Sequence, residues 1–275
     1  MTPWRVNATQ FGRKLENPFD AADRLLCSFS CGVTSAVATK IALHINNGRL
    51  PVEIIYMDTG SEHEDSMRFL HDCEDWFGHK VSVLRSEKYE NIWDVFERTG
   101  YITGVRGARC TTELKKVIRE RYERTSDLQV FGFDASPREH LRAARFKFNQ
   151  PEIMTWFPLL DSGCSKARAK TIVSQAGIEL PIMYQLGFDN NNCIGCPKGG
   201  NEYWNKIRRF FPEVFLRMCE VSRAKKVRLI KITVKGVRVR AFLDELPLDA
   251  IDDVFVDMSC GVVCSQPETA EIGEV

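Results

Sequence analysis

The sequence predicts an α/β protein in which a parallel, twisted sheet carries helices on both faces and a cysteine-containing appendage follows at the C-terminal end. Three observations lead to this fold class. Short apolar runs alternate with helical patterns, the pattern changes after about residue 150, and closely spaced cysteine pairs appear in the last third of the chain. Alternating strands and helices are typical of a parallel sheet covered by helices.

Four apolar runs bounded by turn residues predict the buried strands, at residues 25–30, 52–57, 81–85 and 128–133. Helical patterns fill the intervals, at 34–47, 61–77, 90–99 and 112–124. A capping box is predicted at the start of two helices, one from Ser61 with Glu64 and one from Ser136 with Glu139. We therefore expect these polar side chains to serve the helices rather than a ligand.

The predicted organisation has three parts. Residues 1–22 form an irregular N-terminal segment, and residues 23–186 form the α/β domain. Residues 187–275 contain a cysteine-rich loop, a basic helical stretch and an acidic C-terminal tail. We expect this last part to be an appendage rather than an independent domain.

Composition limits the class of protein. The 275 residues include 38 Lys and Arg against 37 Asp and Glu, which gives a net charge of +1. The apolar runs are shorter than the ~18–20 residues that a membrane span needs, so we expect no membrane partner. The N-terminal residues lack the apolar core of a signal peptide, and the ten cysteines then indicate free thiols in a reducing, cytoplasmic location.

Small polar residues connect the first predicted strand to the first long helix. This segment contains Ser28, Ser30, Gly32, Thr34 and Ser35. Such a loop lets a ligand approach the backbone closely, and the helix that follows directs free N–H groups and a positive dipole end toward it. The carboxyl end of a strand in an open α/β sheet is also where ligands bind. We therefore predict an anion site here.

Two cysteine pairs have the spacing of a metal site. Cys193-x-x-Cys196 is followed by Pro and two Gly residues, and Cys260-x-x-x-Cys264 lies near the C-terminal end. Four thiolates hold either Zn²⁺ or a [4Fe–4S] cluster, and the spacing suits both. Cys110 is a further candidate, either as a metal ligand, as a catalytic, sulfur-carrying thiolate or as a buried structural cysteine. Its Arg and Lys neighbours favour a thiolate, which serves the first two roles.

The six residues 30–35 resemble the pyrophosphate loop S-G-G-x-D-S of the adenine nucleotide α-hydrolase (PP-loop) superfamily, with Thr34 at the aspartate position. Within that superfamily the loop is most similar to that of phosphoadenylyl-sulfate (PAPS) reductases. Asp58-Thr59-Gly60 is similar to the family's D-T-G segment, which lies near the adenosine or ribose. The resemblance implies an adenine nucleotide, PAPS or ATP, as the ligand.

Two more segments extend the resemblance. Residues 106–116 resemble the family's R-x-C-T-x-x-L-K segment around Cys110, and residues 132–145 resemble a segment with a glycine, a glutamate and an arginine. The second segment places two arginines three residues apart on one helix face, where paired guanidinium groups suit phosphate or sulfate. The nucleotide-binding candidates from it are Gly132, Arg142 and Arg145.

The resemblance implies, first, an enzyme that reduces a sulfonucleotide to sulfite through a cysteine thiolate, with thioredoxin or a similar thiol as reductant. Family reductases attack sulfur with a cysteine in a C-terminal E-C-G-[LI]-H segment, whose Cys-Gly matches Cys260 and the next residue. The alternative is an ATP-dependent sulfurtransferase that thiolates DNA or tRNA with sulfur from a donor. Relatives of both kinds often hold an iron–sulfur cluster. A second alternative is a non-catalytic, zinc-containing nucleic-acid-binding or regulatory protein.

The small net charge conceals two opposite segments. Residues 202–240 contain 12 Lys and Arg against 3 Asp and Glu, whereas residues 241–275 contain 9 Asp and Glu and no Lys or Arg. The basic stretch can bind nucleic acid in a salt-sensitive manner. We favour the interpretation that the acidic tail folds back on it and carries Cys260 and Cys264 to Cys193 and Cys196.

Overall fold

The structure, a computed structural model of the chain, describes residues 6–104 and 107–252. The described residues divide into two compact units, each built from segments that are not consecutive in sequence. The first unit contains the described parts of Met1–Asp58, Glu64–Leu84 and Ile118–Gly187. The second contains the described parts of Thr59–His63, Arg85–Val117 and Phe188–Val275.

Eleven strands occur in the described residues. They are β1 (Thr9–Gln10), β2 (Arg13–Lys14), β3 (Arg24–Phe29), β4 (Val52–Met57), β5 (Ser82–Leu84), β6 (Thr103–Gly104), β7 (Gly107–Ala108), β8 (Asp127–Phe131), β9 (Met154–Trp156), β10 (Ile230–Val234) and β11 (Val237–Ala241).

The same part of the chain contains twelve α-helical segments. They are α1 (Pro18–Ala21), α2 (Val33–Asn46), α3 (Asp65–Phe77), α4 (Ile92–Thr99), α5 (Arg109–Thr111), α6 (Val117–Tyr122), α7 (Pro137–Asn149), α8 (Pro158–Asp161), α9 (Lys166–Gln175), α10 (Ile182–Gln185), α11 (Asn201–Phe210) and α12 (Pro212–Ala224). A π-helical turn at Thr112–Lys116 joins α5 to α6, and Leu243–Glu245 is a 3₁₀ turn. None of the described helices is long and apolar enough to cross a membrane.

The first unit contains a seven-stranded sheet in the order β2-β1-β9-β8-β3-β4-β5. Strand β3 pairs in parallel with both β4 and β8, β4 pairs in parallel with β5, and β8 pairs in parallel with β9. Only the short β1 and β2 run antiparallel at the edge. Because the chain leaves β3 first toward β4 and later returns to its other side at β8, the sheet has a topological switch point between β3 and β8.

Helices cover both faces of this sheet, as predicted. Leu128 and Val130 of β8 belong to the apolar core that also contains the buried side chains of α2 and α9. Phe131 lies on the opposite face and packs against Phe146 of α7, with 4.9 Å between ring centroids. Side chains that alternate along a strand point to opposite faces, so one strand supplies both layers.

The predicted strands and helices of the first half are confirmed with small changes at their ends, but neither predicted capping box forms. Helix α3 begins four residues later than predicted, after Glu64, and Ser61 Oγ instead accepts a hydrogen bond from Ile92 N at 3.1 Å. Ser136 makes no side-chain cap on α7, because Asp134 Oδ1 accepts the N–H of Ser136 and Glu139 pairs with Arg142.

The second unit corrects the predicted basic helical stretch at 202–240. The helical part ends with α12 at Ala224, and β10 and β11 then form a hairpin from Ile230↔Ala241 to Val234↔Val237. Lys235 and Gly236 form its turn, with φ of 49° and 77°. A two-residue turn with both φ values positive matches the twist of a hairpin. The I-K-I-T-V and V-R-V-R-A sequences alternate with a period of two, which is a strand pattern.

Three described residues at the beginning of the acidic segment contact helices α11 and α12. Arg223 of α12 pairs with Asp244 at 3.0 Å and with Glu245 at 2.8 Å. The Asp252 carboxylate accepts hydrogen bonds from the N–H groups of Asn201 and Glu202, at the start of α11. The part of the prediction that concerns Cys260 and Cys264 lies outside the described residues.

Candidate functional site

The loop between β3 and α2 folds around the side chain of Ser35. Ser35 Oγ donates to the carbonyl of Gly32 at 2.9 Å, and it accepts from the N–H of Ser30 at 3.1 Å. The Ser30 and Ser35 hydroxyl oxygens are also 3.1 Å apart. Cys31 adopts a left-handed conformation with φ of 52°. Four of the predicted loop residues, Ser30, Gly32, Thr34 and Ser35, therefore lie in one tight turn that leads into the helix.

Helix α2 starts without a side-chain cap. Its N-cap is Gly32, which has no side chain, and the N–H of Val33 reaches only the Tyr184 hydroxyl, at 3.4 Å. The first N–H groups of an α-helix have no intrahelical acceptors, and its N-terminal end carries a partial positive charge. The loop can therefore donate several backbone hydrogen bonds to an anion such as a phosphate.

Gly132, immediately after β8, lies against this turn. A Cβ atom at position 132 would be 2.5 Å from the nitrogen of Ser35 and 2.8 Å from the carbonyl carbon of Thr34. Only glycine allows the end of β8 to approach the first turn of α2 so closely. The structure thus brings Gly132 and the loop together at the switch point of the sheet.

The remaining predicted nucleotide-binding residues occupy different positions. Asp58 immediately follows β4 and is largely buried, with its N–H donating to Leu84 O at 2.9 Å. Ser28 lies in β3, where its hydroxyl is buried and makes no hydrogen bond to any described residue. Arg142 of α7 pairs with Glu139 at 3.0 Å and stacks 4.2 Å above the Phe133 ring. Arg145 is exposed one turn later, so Arg142 is engaged locally rather than in an arginine pair.

In the second unit, Cys193 lies in a polar cluster that the sequence did not reveal. Its Sγ donates to Glu62 Oε1 at 3.5 Å and is 3.1 Å from the Thr59 hydroxyl oxygen. Thr59 also donates its hydroxyl to Glu62 Oε2 at 2.6 Å, and Lys115 Nζ lies 3.8 Å from Glu62 Oε1. The Glu62 carboxylate is therefore buried among a thiol, a hydroxyl and an ammonium group. The acidic residues after the D-T-G segment were the sequence signal for Glu62.

Tyr203 of α11 braces the Cys193-x-x-Cys196 loop. Its hydroxyl donates to Cys193 O at 2.8 Å and accepts from the N–H groups of Gly195 and Cys196, at 2.9 and 2.8 Å. Complete burial raises the pKa of the Tyr203 phenol well above its usual value of 10, and the neighbouring Cys196 adds to this effect. One buried hydroxyl of α11 thus satisfies three backbone groups of the loop.

Cys110 lies in the first turn of a helical segment that continues from Arg109 through the π-helical turn to Tyr122. Its side chain is buried, and it follows the N-cap Ala108 by two residues. The neighbouring cations are partly offset by carboxylates, since Arg109 pairs with Glu113 at 2.7 Å and Lys115 faces Glu62. Arg106 lies outside the described residues. Cys110 is therefore a buried thiol at a helix start, beside cations that carboxylates partly offset.

The described residues do not by themselves complete a metal centre. Among them, no three His, Cys, Asp or Glu side chains converge closely enough to hold an ion. Cys193 and Cys196 are both buried, but the predicted partners Cys260 and Cys264 lie outside the described residues. A four-thiolate site would need that second pair.

Three other cysteines are structural, as their apolar surroundings predict. Cys27, Cys73 and Cys219 are buried, and burial raises the pKa of each thiol. The value reaches about 12 for Cys27 and about 11 for Cys219. Thiols with such values remain protonated near neutral pH and are poor nucleophiles.

Comparison with known families identifies the chain. The sequence model of the phosphoadenosine phosphosulfate reductase domain matches residues 24–199, well over half of the chain. The protein belongs to the phosphoadenosine phosphosulfate reductase domain family. The matched range includes the Ser30–Ser35 loop, Cys110 and the Cys193-x-x-Cys196 loop, and it ends before helix α11 and the hairpin. The resemblance inferred from the sequence is therefore confirmed at the level of the family.

Individual relatives are more distant. Two uncharacterized proteins of Methanocaldococcus jannaschii are 26% and 25% identical to the chain, over 70% and 72% of its length. The matches cover 46% and 41% of those proteins, so the chain spans less than half the length of these curated relatives. A crystal structure of PAPS reductase from Candida auris, in a phosphate complex, shares 12% identity and a TM-score of 0.44 over 64% of this chain and 88% of that one. At that score the likeness carries no conclusion about individual residues.

Proposed function

We propose that this family member is an enzyme that reduces a sulfonucleotide, PAPS in the first instance, to sulfite through a cysteine thiolate. The observation that carries the proposal is the placement of Cys110 in the first turn of the Arg109–Tyr122 helical segment, inside the part of the chain that matches the reductase family. The helix start stabilises a thiolate at that position. Cys260 is the alternative nucleophile.

The proposed reaction consists of two nucleophilic displacements, the first at the sulfonate sulfur and the second at the cysteine sulfur. The thiolate attacks the sulfonate sulfur and breaks its bond to the phosphate oxygen, which releases adenosine 3′,5′-bisphosphate and leaves an S-sulfonated cysteine. A dithiol such as thioredoxin then attacks the cysteine sulfur, sulfite leaves with the bonding electron pair, and the second thiol of the donor closes a disulfide. The dithiol is oxidised by two electrons, and the sulfonate is reduced to sulfite.

The β3–α2 loop supports the nucleotide half of the proposal. Its backbone N–H groups and the Ser30 and Thr34 hydroxyls suit a phosphate group, and the absence of the superfamily's aspartate at Thr34 favours a sulfonucleotide over ATP cleavage. Asp58, at the end of the neighbouring strand, is the candidate acceptor for sugar hydroxyls.

The experiment measures sulfite formed from PAPS and a reduced dithiol by anaerobically purified protein. We expect turnover by the natural chain and its loss in Cys110→Ser, while Cys219→Ser, a buried cysteine of the same unit, retains it. If Cys110→Ser retains turnover and Cys260→Ser loses it, the role of nucleophile is assigned to Cys260 instead. No sulfite from PAPS with any dithiol would contradict the proposal.

The alternative is an ATP-dependent sulfurtransferase acting on DNA or tRNA, which the number of buried cysteines and the basic hairpin favour. It predicts pyrophosphate from ATP in the presence of nucleic acid and a sulfur donor, and no sulfite from PAPS. The non-catalytic alternative predicts neither product and one bound zinc ion per chain.

A metal centre is a separate part of the proposal. Cys193 and Cys196 would hold a [4Fe–4S] cluster together with Cys260 and Cys264, or Zn²⁺ in the alternative. Iron with broad absorption near ~400 nm supports the cluster, whereas zinc alone supports a structural site. Neither metal in anaerobic protein would exclude both assignments and leave Cys193 as the thiol partner of Glu62.

A further inference from the structure

The β10–β11 hairpin lies in a strongly cationic part of the described chain. From residue 221 to residue 243 there are eight Lys and Arg residues and no Asp or Glu. The hairpin itself, residues 230–241, contains Lys231, Lys235, Arg238 and Arg240 and is here named the basic ribbon. It forms a separate two-stranded sheet.

The register of the basic ribbon gathers its charges on one face. Lys231 lies directly opposite Arg240, and Thr233 lies opposite Arg238. Side chains alternate between the faces of a strand, so these four residues share a face, and Lys235 lies in the turn at its end. Like charges directly opposite one another destabilise a strand pair. The arrangement therefore works against the stability of the free hairpin and suits an anionic partner.

These charges have no carboxylate partners within the part of the chain that the structure describes. None of the four cations of the basic ribbon forms an ion pair there, and all four are exposed. Arg223 of α12 differs, because Asp244 and Glu245 hold it. The described acidic residues thus neutralise the helix that precedes the ribbon but not the ribbon itself.

The opposite face of the ribbon is apolar, buried at its base by Ile230 and Ala241 and open toward the turn. Val234, Val237 and Val239 are 47%, 62% and 39% exposed. A two-stranded hairpin is only marginally stable by itself in water. Its base is fixed instead, since the buried amide of Asn201 donates to Lys231 O at 2.9 Å and to Ile251 O at 3.1 Å. Asn201 follows Cys196 by five residues, so the ribbon is anchored to the segment that carries the cysteine loop.

We propose that the basic ribbon binds duplex DNA by inserting into the major groove, with its cations on the phosphate backbone. The two strands of a sheet lie about 4.8 Å apart, and a two-stranded ribbon fits the major groove of B-form DNA, which is about 12 Å wide. The major groove of A-form RNA is too deep and narrow for protein side chains to read. The positive charge of the ribbon favours a polyphosphate as its partner, and its two-stranded shape favours B-form duplex DNA.

This inference does not rest on the proposed reduction of a sulfonucleotide. The basic ribbon lies beyond the residues that match the reductase family, and DNA binding is measured without turnover. Sulfite formation without DNA binding, or DNA binding without sulfite formation, therefore separates the two proposals.

The test is fluorescence anisotropy of a labelled 20-base-pair DNA duplex with the full chain over a series of salt concentrations. Four phosphate contacts predict that the logarithm of the binding constant falls with the logarithm of salt concentration with a slope of about −3.6. The Arg238→Gln/Arg240→Gln variant should lower that slope by about 1.8 and weaken binding about 60-fold at 0.1 M salt. Circular dichroism establishes that the variant remains folded.

The matched control is Arg13→Gln/Lys14→Gln, which removes the same charge from exposed β2 in the first unit. We expect it to bind DNA with a nearly unchanged slope. Equal losses in both variants would overturn the assignment to the ribbon and indicate a bulk charge effect. Tighter binding of an RNA duplex, or equal binding of polyglutamate, would overturn the choice of duplex DNA.

Discussion

Replacement of Gly132 by alanine tests whether the end of β8 and the first turn of α2 form one nucleotide-binding turn. The added Cβ would be 2.5 Å from the nitrogen of Ser35, about 0.9 Å closer than the 3.4 Å at which ordinary contact begins. The atoms it meets are backbone atoms, so no side chain can rotate away. Strand and helix must separate instead.

The separation has two measurable consequences. Overpacking of this kind costs ~1–3 kcal/mol of stability, measured as a lower midpoint of urea unfolding. Displacement of the α2 N–H groups should also weaken binding of adenosine 3′,5′-bisphosphate, measured by calorimetry, by about 10-fold or more, since a hydrogen bond to a charged group contributes ~1.5–3 kcal/mol.

Gly163→Ala is the matched control. Gly163 has φ of 64° and no atom within 4 Å of an added Cβ. Alanine there costs ~1–2 kcal/mol through its left-handed backbone but moves no neighbour. We expect the two variants to lose similar amounts of stability. Only Gly132→Ala should also lose nucleotide binding. Natural affinity in Gly132→Ala would refute it.

Three further predictions concern stability. Tyr203→Phe removes the one hydroxyl that serves three backbone groups of the cysteine loop, and it should lower the free energy of unfolding by ~1–3 kcal/mol in urea titrations; an unchanged midpoint would contradict this role. Asp127→Asn breaks a bidentate pair with Arg24 in which the carboxylate is fully buried, and calorimetry should show a loss of ~3 kcal/mol, whereas a loss below ~1 kcal/mol would show that Arg24 finds another acceptor. The pKa of Glu74 lies below its usual 4.5, because hydrogen bonds from Lys80, Val81 N–H and His71 together outweigh the opposing effect of burial. The stability that Glu74 contributes is therefore present above pH 4.5 and is lost as the pH falls below it, so thermal melts of Glu74→Gln should show a shallower acid decline than those of the natural chain.

The sheet could be predicted because its signals are local. Each of β3, β4, β5 and β8 is an apolar run bounded by turn residues. The spacing of apolar residues along the sequence distinguishes each run from the neighbouring helices. Strand β1 could not be predicted, since its two residues become a strand only by pairing with β2 and with β9, where Thr9 lies opposite Thr155. The hairpin at 230–241 has a two-residue period in its sequence, which the prediction of a helical stretch does not take into account.

The two candidate sites differ in how far apart their residues lie in the sequence. The Ser30–Ser35 turn is built within six consecutive residues, so the sequence sufficed to place it. The cluster around Cys193 draws Thr59, Glu62 and Lys115 from segments more than fifty residues apart, and no periodicity connects them. Spacing thus identified the cysteine pair but not the carboxylate that accepts a hydrogen bond from the Cys193 thiol.

The division of each unit among separate segments has a consequence for synthesis on the ribosome. All segments of the unit that holds the sheet have been translated by Gly187, and domains generally fold as their chains emerge. Thr59–His63 and Arg85–Val117 are made early, yet the residues that complete their unit are translated only after Phe188. A chain that terminates near residue 190 would therefore release all segments of the sheet and the Ser30–Ser35 loop, with Glu62 and Cys110 present but without Cys193 and Cys196 of their unit.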